Sequence, residues 1–171
     1  MMSIRTIKGV FRSLAVVAVC ASAALAASSS SGPAPGFQLS GRGGKAIDLA
    51  QFKGQVVMIN FWGTYCGPCR TEMPLLEDIY KKYKPMGFTL LAVNVQPDSK
   101  AAEAWLAKLS KPITFPVAFD VDSKVSSLYK VDSMPSTVIV DRQGNVRMRH
   151  RGYKAGDEDL YLTQIRSLLK E

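Results

Sequence analysis

QVVMINFWGTYCGPC, residues 55–69, is the stretch of sequence that decides the fold of this chain. Its first eight residues are mostly apolar and rich in Val and Ile, which is typical of a strand buried on both faces of a sheet. A glycine ends the run, and two cysteines follow with two residues between them. From Cys69 to about Lys84 apolar residues recur at intervals of three and four, so we predict that a helix begins at the cysteine pair.

A second apolar run follows this helix. Phe88–Val95 has the sequence FTLLAVNV, which again indicates a buried strand, so the three elements form a strand, helix, strand unit. The pattern then predicts a helix over Ser99–Leu109, a short strand at Val117–Phe119 and a helix over about Lys124–Lys130. This alternation of strands and helices is typical of the α/β class.

Two hairpins flank the central unit in the sequence. The Gly-rich turn Gly41–Gly44 separates Phe37–Leu39 from Ala46–Leu49, which predicts a small hairpin ahead of the main sheet. A second, antiparallel hairpin is predicted from Thr137–Val140 to Val146–His150. The predicted architecture is a central mixed sheet flanked by helices on both faces.

A last helix is predicted to follow the second hairpin. Asp157 is a residue type that caps helices, and apolar residues recur behind it at helical spacing. We expect it to cap a helix whose sheet-facing side chains are Leu160, Ile165, Leu168 and Leu169.

Composition and charge limit the class of protein. The chain of 171 residues is 47% hydrophobic and 21% charged, which is enough apolar material for one core and too much for a disordered protein. Its net charge of +8 raises the question of an anionic partner, but the bases are spread over several elements, so we expect no nucleic-acid binding. Arg147, Arg149 and Arg151 alternate along one strand, which predicts either a solvated face or a surface for an acidic partner.

The N-terminal segment is typical of a secretory signal peptide, which predicts a periplasmic or otherwise extracytoplasmic protein. Bases without acids precede the apolar run Leu14–Ala27, whose 14 residues are fewer than the roughly 18 to 20 that a membrane-spanning helix needs. Ala24–Ala26 supplies a cleavage site, while an uncleaved membrane anchor and lipidation at Cys20 are the alternatives. The predicted organisation is a signal peptide over 1–26, a flexible Ser, Gly and Pro linker over 27–36 and one domain over 37–171.

The cysteine pair at the predicted helix start has the spacing of a redox centre. A cysteine at a helix N-terminus lies among free backbone N–H groups, which stabilise its thiolate and lower its pKa. We therefore expect Cys66 to be the attacking nucleophile and Cys69, one turn further along, to be the resolving thiol. A zinc site is disfavoured, because without Cys20 the chain has two cysteines and one histidine and zinc takes four ligands as a rule.

Further motifs surround the cysteine pair, namely Asn60–Trp62, Glu72 and Pro74. Together with Cys66–Cys69 they resemble the thioredoxin superfamily, and most closely its exported TlpA/ResA/DsbE-type branch. The resemblance covers nearly all of 37–171 and implies a thioredoxin-like fold with an N-terminal β-hairpin and an extra helix and strand after the second central strand. It also implies a proline inside the active-site helix and no cofactor other than a redox-active disulfide between the two cysteines.

The resemblance implies roles for individual residues. Met134–Pro135 matches the loop in which a cis-proline packs beside the cysteines and pairs with the substrate backbone. Glu72 matches an acid that assists proton transfer at the thiols. Because helical spacing puts Glu72 one turn from Cys69, a general base is the expected role, and a solvated helix glutamate is the alternative. Where cytoplasmic thioredoxins carry a buried aspartate, this chain has Asn60, which cannot titrate.

Apolar side chains are expected around the cysteine pair. Trp62, Tyr65 and Met134 would present an apolar surface to an extended polypeptide, although Trp62 suits a core position equally well. His150, the only histidine, is expected on a strand face rather than in catalysis.

These residues predict an extracytoplasmic thiol:disulfide oxidoreductase. Because Gly67–Pro68 is the dipeptide of the reducing thioredoxins, we expect a reductant of protein disulfides. Cytochrome c maturation and metal-site assembly are candidate processes, and we expect the protein to be a monomer. Its partners would be a disulfide-containing or dithiol protein and a membrane thiol-transfer protein that donates electrons. The alternatives are a peroxiredoxin-like thiol peroxidase, which the lack of a P-x-x-x-T-x-x-C pattern disfavours, and a Cu(I)-binding thiol module.

Overall fold

The structure is a computed structural model and describes residues 32–171. Within this range the chain forms one sheet and four α-helices, besides three short 3-10 helices. In chain order the elements are β1 (Gln38–Gly41), β2 (Ala46–Asp48), β3 (Val56–Trp62), α1 (Gly67–Tyr83), β4 (Phe88–Asn94), α2 (Ser99–Ala107), β5 (Val117–Phe119), α3 (Lys124–Leu128), β6 (Ser136–Val140), β7 (Val146–Arg151) and α4 (Asp157–Leu168). The predicted signal peptide, half of the predicted linker and Cys20 lie outside the described residues.

The strands form a mixed sheet in the order β2-β1-β5-β4-β3-β6-β7. In it β3, β4 and β5 are parallel, and β6 runs antiparallel to β3. Every residue of β3 and β4 is buried, as their mostly apolar sequences predict. The prediction of an α/β fold with a central mixed sheet is confirmed.

Helices cover both faces of the sheet, so the sheet separates two layers of core. On one face α1 and α4 bury side chains such as Leu76 and Ile165, and on the other α3 buries Val125. Because successive side chains of a strand point to opposite faces, Met58 of β3 belongs to the first layer and Ile59 to the second. This two-sided burial explains why every residue of β3 except Asn60 is apolar.

The first hairpin is part of the main sheet rather than a ribbon ahead of it. β1 pairs with β2 as predicted, and it also pairs antiparallel with β5, where Ser40 lies opposite Phe119. Gly41 ends β1 at a point where an added Cβ would lie 2.7 Å from the carbonyl oxygen of Lys45, so a larger residue would push the turn apart. The hairpin therefore covers an edge of β5 that would otherwise be open.

The ends of two helices differ from the sequence prediction. α3 ends at Leu128, and Lys130 has a left-handed φ of 56°, through which a helix does not continue. α4 begins at Asp157 with Gly156 in the capping position, and the Asp157 carboxylate accepts the backbone N–H of Lys154, outside the helix. The expectation that Asp157 caps α4 is therefore wrong.

The buried face of α4 differs in one position from the prediction. Ile165 and Leu168 face the core as expected, but Leu160 is 51% exposed and its neighbour Tyr161 is buried instead. Tyr161, Ile165 and Leu168 are spaced by four and three, so they form one continuous stripe on the helix. This stripe, rather than one that includes Leu160, packs α4 against the sheet.

Features for crossing a membrane or holding a metal are not found in the part of the chain that the structure describes. None of its helices is long and apolar enough to cross a bilayer. Nor do three or more His, Cys, Asp or Glu side chains within residues 32–171 form a group that could hold a metal ion.

Candidate active site

The cysteine pair lies where β3 passes into α1. Cys66 is the N-terminal capping residue of α1, with extended backbone angles of φ −87° and ψ 108°, and its Sγ accepts the backbone N–H of Cys69 at 3.1 Å. The two cysteines form a disulfide with their Cα atoms 5.3 Å apart. Gly67 and Pro68 occupy the first turn of α1, where a proline removes no helical hydrogen bond.

The two cysteines differ in exposure. Cys66 is 7% exposed, whereas Cys69 is 1% exposed and faces the core layer between α1 and the sheet. Cys66 is therefore the more accessible of the two cysteines to an incoming disulfide. A thiolate at Cys66 would also lie at the positive end of the α1 dipole, which favours the charged form.

Pro74 lies inside α1, as the resemblance implies. It has no N–H to donate to the carbonyl of Arg70, so the helical hydrogen-bond ladder is interrupted just beyond the cysteine pair.

The loop that leads to Cys66 is held by the end of β4. The backbone N–H of Thr64 donates to Oε1 of Gln96 at 2.8 Å, and Nδ2 of Asn94 donates to the same oxygen at 3.2 Å. Asn94 also donates to the carbonyl of Trp62 at 3.4 Å. Sequence reasoning missed Asn94 and Gln96, although polar residues at the end of a buried strand beside β3 are a signal that could have found them.

The predicted proline loop lies at the same end of the sheet as the cysteines. The Met134–Pro135 peptide bond is cis, as the resemblance implies. Ser136 follows it and pairs with Phe61, which sets the loop beside the end of β3 and the start of the Cys66 loop. The structure therefore brings the proline loop and the cysteine pair together from positions about seventy residues apart in the sequence.

The three predicted apolar contacts have different environments. Tyr65 is 68% exposed and lies against Gly63, and Met134 is half-buried and packs on both core layers. Trp62 is fully buried, and its ring packs on Trp105 with centroids 5.4 Å apart. The expectation that Trp62 contacts a polypeptide is wrong, because Trp62 has no exposed surface and supports the site from within the core.

Glu72 lies in the interior, one helical turn beyond Cys69. It is 1% exposed, its Oε2 accepts Nδ2 of Asn60 at 3.0 Å, and its Oε1 accepts the hydroxyl of Tyr161 at 3.0 Å. Burial raises the pKa of Glu72 to about 7, and the two hydrogen bonds, which favour the carboxylate, only partly offset it. The alternative of a solvated helix glutamate is therefore excluded.

A polar network extends from Glu72 toward α4 and β7. Asn60 also donates to Oγ1 of Thr137 at 3.1 Å, so β3, α1, β6 and α4 each contribute one polar group. The His150 ring meets the Tyr161 ring edge-on with centroids 5.5 Å apart, and its Nε2 lies 2.9 Å from Oδ2 of Asp157. His150 is thus a half-buried residue of β7 with a local hydrogen-bond partner, in agreement with the strand-face prediction.

Tyr161 is the residue of this site that sequence reasoning missed. Burial raises the pKa of its hydroxyl, so the hydroxyl stays protonated and donates a hydrogen bond to Glu72 throughout the physiological pH range. Its position in the stripe with Ile165 and Leu168 is a signal for burial, and a buried tyrosine needs a hydrogen-bond partner. The partner itself depends on how α4 docks on α1.

The arrangement has the parts needed for thiol chemistry. One cysteine caps a helix and retains some exposed surface, and a second is bonded to it and lies in the core. A carboxyl group with a pKa of about 7 lies one helical turn beyond the second cysteine. A group with that pKa can both accept and release a proton near neutral pH.

The chain is similar in sequence to a known protein family and to individual proteins of known activity. Residues 31–149 match the AhpC/TSA family. The chain is similar to the thiol-disulfide oxidoreductase ResA of Bacillus thuringiensis subsp. konkukian, with 33% identity over 133 residues that cover 77% of this chain and 76% of that protein. It is also similar to the ResA of Bacillus subtilis, with 38% identity over 113 residues that cover 66% of this chain and 62% of that protein.

A solved structure supports the same assignment of fold. The crystal structure of a protein described as a thiol:disulfide interchange protein DsbE, from Chlorobium tepidum, superposes with a TM-score of 0.78 and 36% sequence identity. The superposition covers 81% of this chain and 96% of that one. The predicted thioredoxin-like fold is therefore confirmed.

Proposed function

The chain belongs to the AhpC/TSA family and is a thiol:disulfide oxidoreductase, and from this premise we propose that it reduces disulfides of partner proteins outside the cytoplasm through Cys66 and Cys69. The observation that carries the assignment of these residues is the bonded pair at the N-terminus of α1, with the Met134–Pro135 loop beside it. A cysteine at that position has a stabilised thiolate, and the adjoining loop offers backbone to an extended peptide.

The proposed reaction begins with the reduced protein. The Cys66 thiolate attacks one sulfur of a substrate disulfide, a mixed disulfide forms, and the first substrate thiolate leaves and takes up a proton. Cys69 then loses its proton and attacks Sγ of Cys66, which releases the second substrate thiolate and forms the Cys66–Cys69 disulfide. Two electrons pass from the protein dithiol to the substrate disulfide.

Glu72 is the proposed acceptor of the Cys69 proton. Cys69 is buried, so its thiol has little water to take the proton, and Glu72 is the carboxyl group one helical turn away. Because Tyr161 and Asn60 hydrogen-bond the carboxyl oxygens, Glu72 accepts a proton in a fixed orientation. Tyr65, Met134 and Pro135 are the proposed contacts for the substrate polypeptide.

The proposed direction is reduction of the substrate. Gly67–Pro68 between the cysteines is the dipeptide of the reducing thioredoxins, whose reduction potential is about −270 mV. The reduction potential of a strong oxidant of this fold is about −120 mV. Electrons would come from a membrane thiol-transfer protein. A redox titration of the Cys66–Cys69 pair is expected to give a midpoint well below about −150 mV, and a midpoint above that value overturns the direction.

The proposed location rests on the sequence of residues 1–26. Bases, an apolar run and Ala24–Ala26 are typical of a signal peptide that is cleaved or retained as an anchor. Mass spectrometry of the protein recovered from membrane and soluble extracytoplasmic fractions tests both location and cleavage.

Proteins whose cysteines must be reduced before they bind haem or copper, such as apocytochrome c, are the proposed class of substrate.

Replacing the cysteines one at a time tests the proposed roles. Cys66→Ser is expected to abolish reduction of insulin disulfides, because the attacking sulfur is lost. Cys69→Ser is expected to accumulate a mixed disulfide with the substrate, which can be isolated and identified. Cys20→Ser is the matched control and should retain full activity.

The outcomes also separate the alternative functions. Full activity of Cys66→Ser contradicts the proposed mechanism. A wild-type protein that consumes peroxide at the expense of thiols, but leaves insulin disulfides intact, would support the thiol peroxidase instead. Tight Cu(I) binding by the reduced protein without disulfide exchange would support the metal-binding module.

A further inference from the structure

A cleft of about 350 Å³ lies on the face of the sheet opposite α1, and we refer to it as the β7 cleft. Its walls are the end of α3 with Tyr129 and Lys130, the start of β6 at Ser136, and Arg149 and Arg151 of β7. The mechanism above uses none of the side chains in these walls.

The β7 cleft opens at the active-site end of the sheet. Ser136 follows Pro135 directly, and the strand register sets Ser136 between Phe61 of β3 and Arg151 of β7. Arg149 lies two residues further along the same face, opposite Val138. The cleft therefore begins one residue from the loop that is proposed to bind the substrate backbone.

The cleft carries uncompensated positive charge. Among residues 32–171, neither Lys130 nor Arg149 forms an ion pair, and Arg151 forms one exposed pair with Asp132. Exposed pairs of this kind contribute little and exchange readily with other anions.

The arginine at the other end of β7 differs from the two in the cleft. Arg147 is neutralised by Asp141 and Glu171, with N–O distances of 3.2 and 2.7 Å. The three alternating arginines therefore differ in how their charge is compensated: Arg147 pairs with two acids, Arg151 with one exposed acid, and Arg149 with none among residues 32–171.

The Arg149 side chain is held in place before any ligand arrives. Its Nη1 donates to the carbonyl of Tyr129 at 3.2 Å, and its guanidinium lies 5.9 Å from the centre of the Tyr129 ring. The Tyr129 hydroxyl in turn donates to the carbonyl of Pro35 at 2.7 Å. A cation fixed in this way loses little side-chain entropy when it binds a carboxylate.

We infer that the β7 cleft binds an acidic segment of the polypeptide whose disulfide the cysteine pair exchanges. This inference rests on the proposed function. An extended peptide advances about 3.3 Å per residue, so we expect acidic side chains two to four positions from the reacting cysteine to reach from the proline loop into the cleft. Carboxylates there pair with Lys130 and Arg149, which have no acidic partner within the described part of the chain.

The charge of the chain argues against its own N-terminal segment as the occupant. Residues 1–31 contain Arg5, Lys8 and Arg12 and no acidic residue. Such a segment would be repelled by the cleft, whereas an acidic partner would be attracted to it.

A binding experiment tests the cleft apart from the chemistry. A cysteine-free peptide with three Glu residues and the same peptide with three Gln residues are titrated into the oxidised full chain at low and high salt. The acidic peptide is expected to bind about 3- to 10-fold more tightly at low salt, and the preference should fall as salt rises. The double variant Lys130→Gln/Arg149→Gln should lose this preference.

Matched controls address charge and folding. Lys45→Gln/Lys53→Gln removes two exposed charges at the opposite end of the sheet and should keep the preference. Arg149→Lys keeps the charge and should retain most of it even where Arg149→Gln perturbs the contact with Tyr129. Equal binding of the two peptides by the wild-type chain, or an equal loss in the Lys45/Lys53 control, overturns the inference.

Kinetics with matched substrates separate this inference from the proposed function. Two disulfide-bonded peptides, one with Glu and one with Gln three positions from the cysteine, are reduced by the wild-type and double-variant chains. The wild type is expected to prefer the acidic substrate 3- to 10-fold in kcat/KM, and the double variant should reduce both equally. Equal reduction of both by the wild type overturns the cleft alone, and reduction of neither overturns the proposed function.

One further outcome bears on the class of partner. An oligonucleotide that competes with the acidic peptide and binds more tightly, with the same dependence on Lys130 and Arg149, would overturn the assignment to a polypeptide.

Discussion

At the scale of single residues, environment gives identical side chains different chemistry. Cys66 and Cys69 are three positions apart, yet one caps α1 with some surface exposed and the other lies in the core. Glu72 differs from an ordinary helix glutamate in the same way, because burial raises its pKa to about 7 while Asn60 and Tyr161 hold the carboxyl group. The proposed order of thiol steps follows from these differences.

Glu72→Gln is expected to change how stability depends on pH. Glu72 ionises at a pKa of about 7 in the folded chain and near 4.5 when unfolded. Between these values the unfolded state loses its proton first, so the free energy of unfolding of the wild type falls by up to about 3 kcal/mol as pH rises from 4.5 through 7. The glutamine variant lacks this fall, so its relative stability should increase with pH.

Urea unfolding of the oxidised wild type and Glu72→Gln at pH 5, 6, 7 and 8 measures the effect. Glu103→Gln, which replaces an exposed glutamate of α2, is the control and should follow the wild type. Parallel pH profiles for the wild type and Glu72→Gln would show that Glu72 does not titrate in this range.

Tyr161→Phe is expected to shift the pH dependence of activity. The Tyr161 hydroxyl favours the carboxylate of Glu72, so its removal raises the pKa of Glu72 further above 7. If ionised Glu72 accepts the Cys69 proton, the midpoint of kcat/KM against pH should move upward by about one unit.

A purely structural role for Tyr161 would lower the rate at every pH and leave the midpoint in place. Tyr80→Phe, which removes a hydroxyl further along α1, is the control and should retain the wild-type midpoint. An unshifted midpoint in Tyr161→Phe contradicts the proposed link between Tyr161 and Glu72.

At the scale of secondary-structure elements, two helices build the site between them. α1 begins at the cysteine pair and carries Glu72 one turn later, and α4 supplies the hydroxyl that holds this acid. The docking of α4 rests on the stripe of Tyr161, Ile165 and Leu168. Stability and site geometry therefore depend on the same face of α4.

Ile165→Ala and Leu160→Ala test which face of α4 is buried. Ile165 is fully buried, so its truncation is expected to cost about 2 to 5 kcal/mol of unfolding free energy. Leu160 is exposed, so its truncation should change stability by less than about 0.5 kcal/mol. Denaturant unfolding of both variants gives the comparison, and similar losses for the two would contradict the described orientation of α4.

At the scale of the whole molecule, the sheet determines which distant segments meet. The register of β3 with β6 brings Pro135 to the end of the strand that leads to Cys66, and the register of β6 with β7 brings Arg151 beside Ser136. The hairpin of β1 and β2 closes the opposite side of the sheet on β5. The active site and the β7 cleft thus lie at one end of a single framework.

Much of this framework is predictable from the sequence, because local pattern carries it. The apolar runs predict β3 and β4, and helical spacing predicts α1 with the cysteine pair at its start. The wrong predictions, such as the burial of Leu160 and the capping of α4 by Asp157, concern positions where more than one helix start or buried face fits the sequence pattern equally well. There the packing of remote residues decides between them.

The sequence by itself determined the order of strands and helices, the α/β class and the position of Cys66 at a helix start, because these depend on residues within a few positions of each other. Only the tertiary structure decided that Trp62 is core, that Tyr161 holds Glu72 and that Arg149 is free of the acids that neutralise Arg147. Burial, pKa and free charge depend on which distant groups lie within a few ångströms. That proximity exists only once the chain has folded.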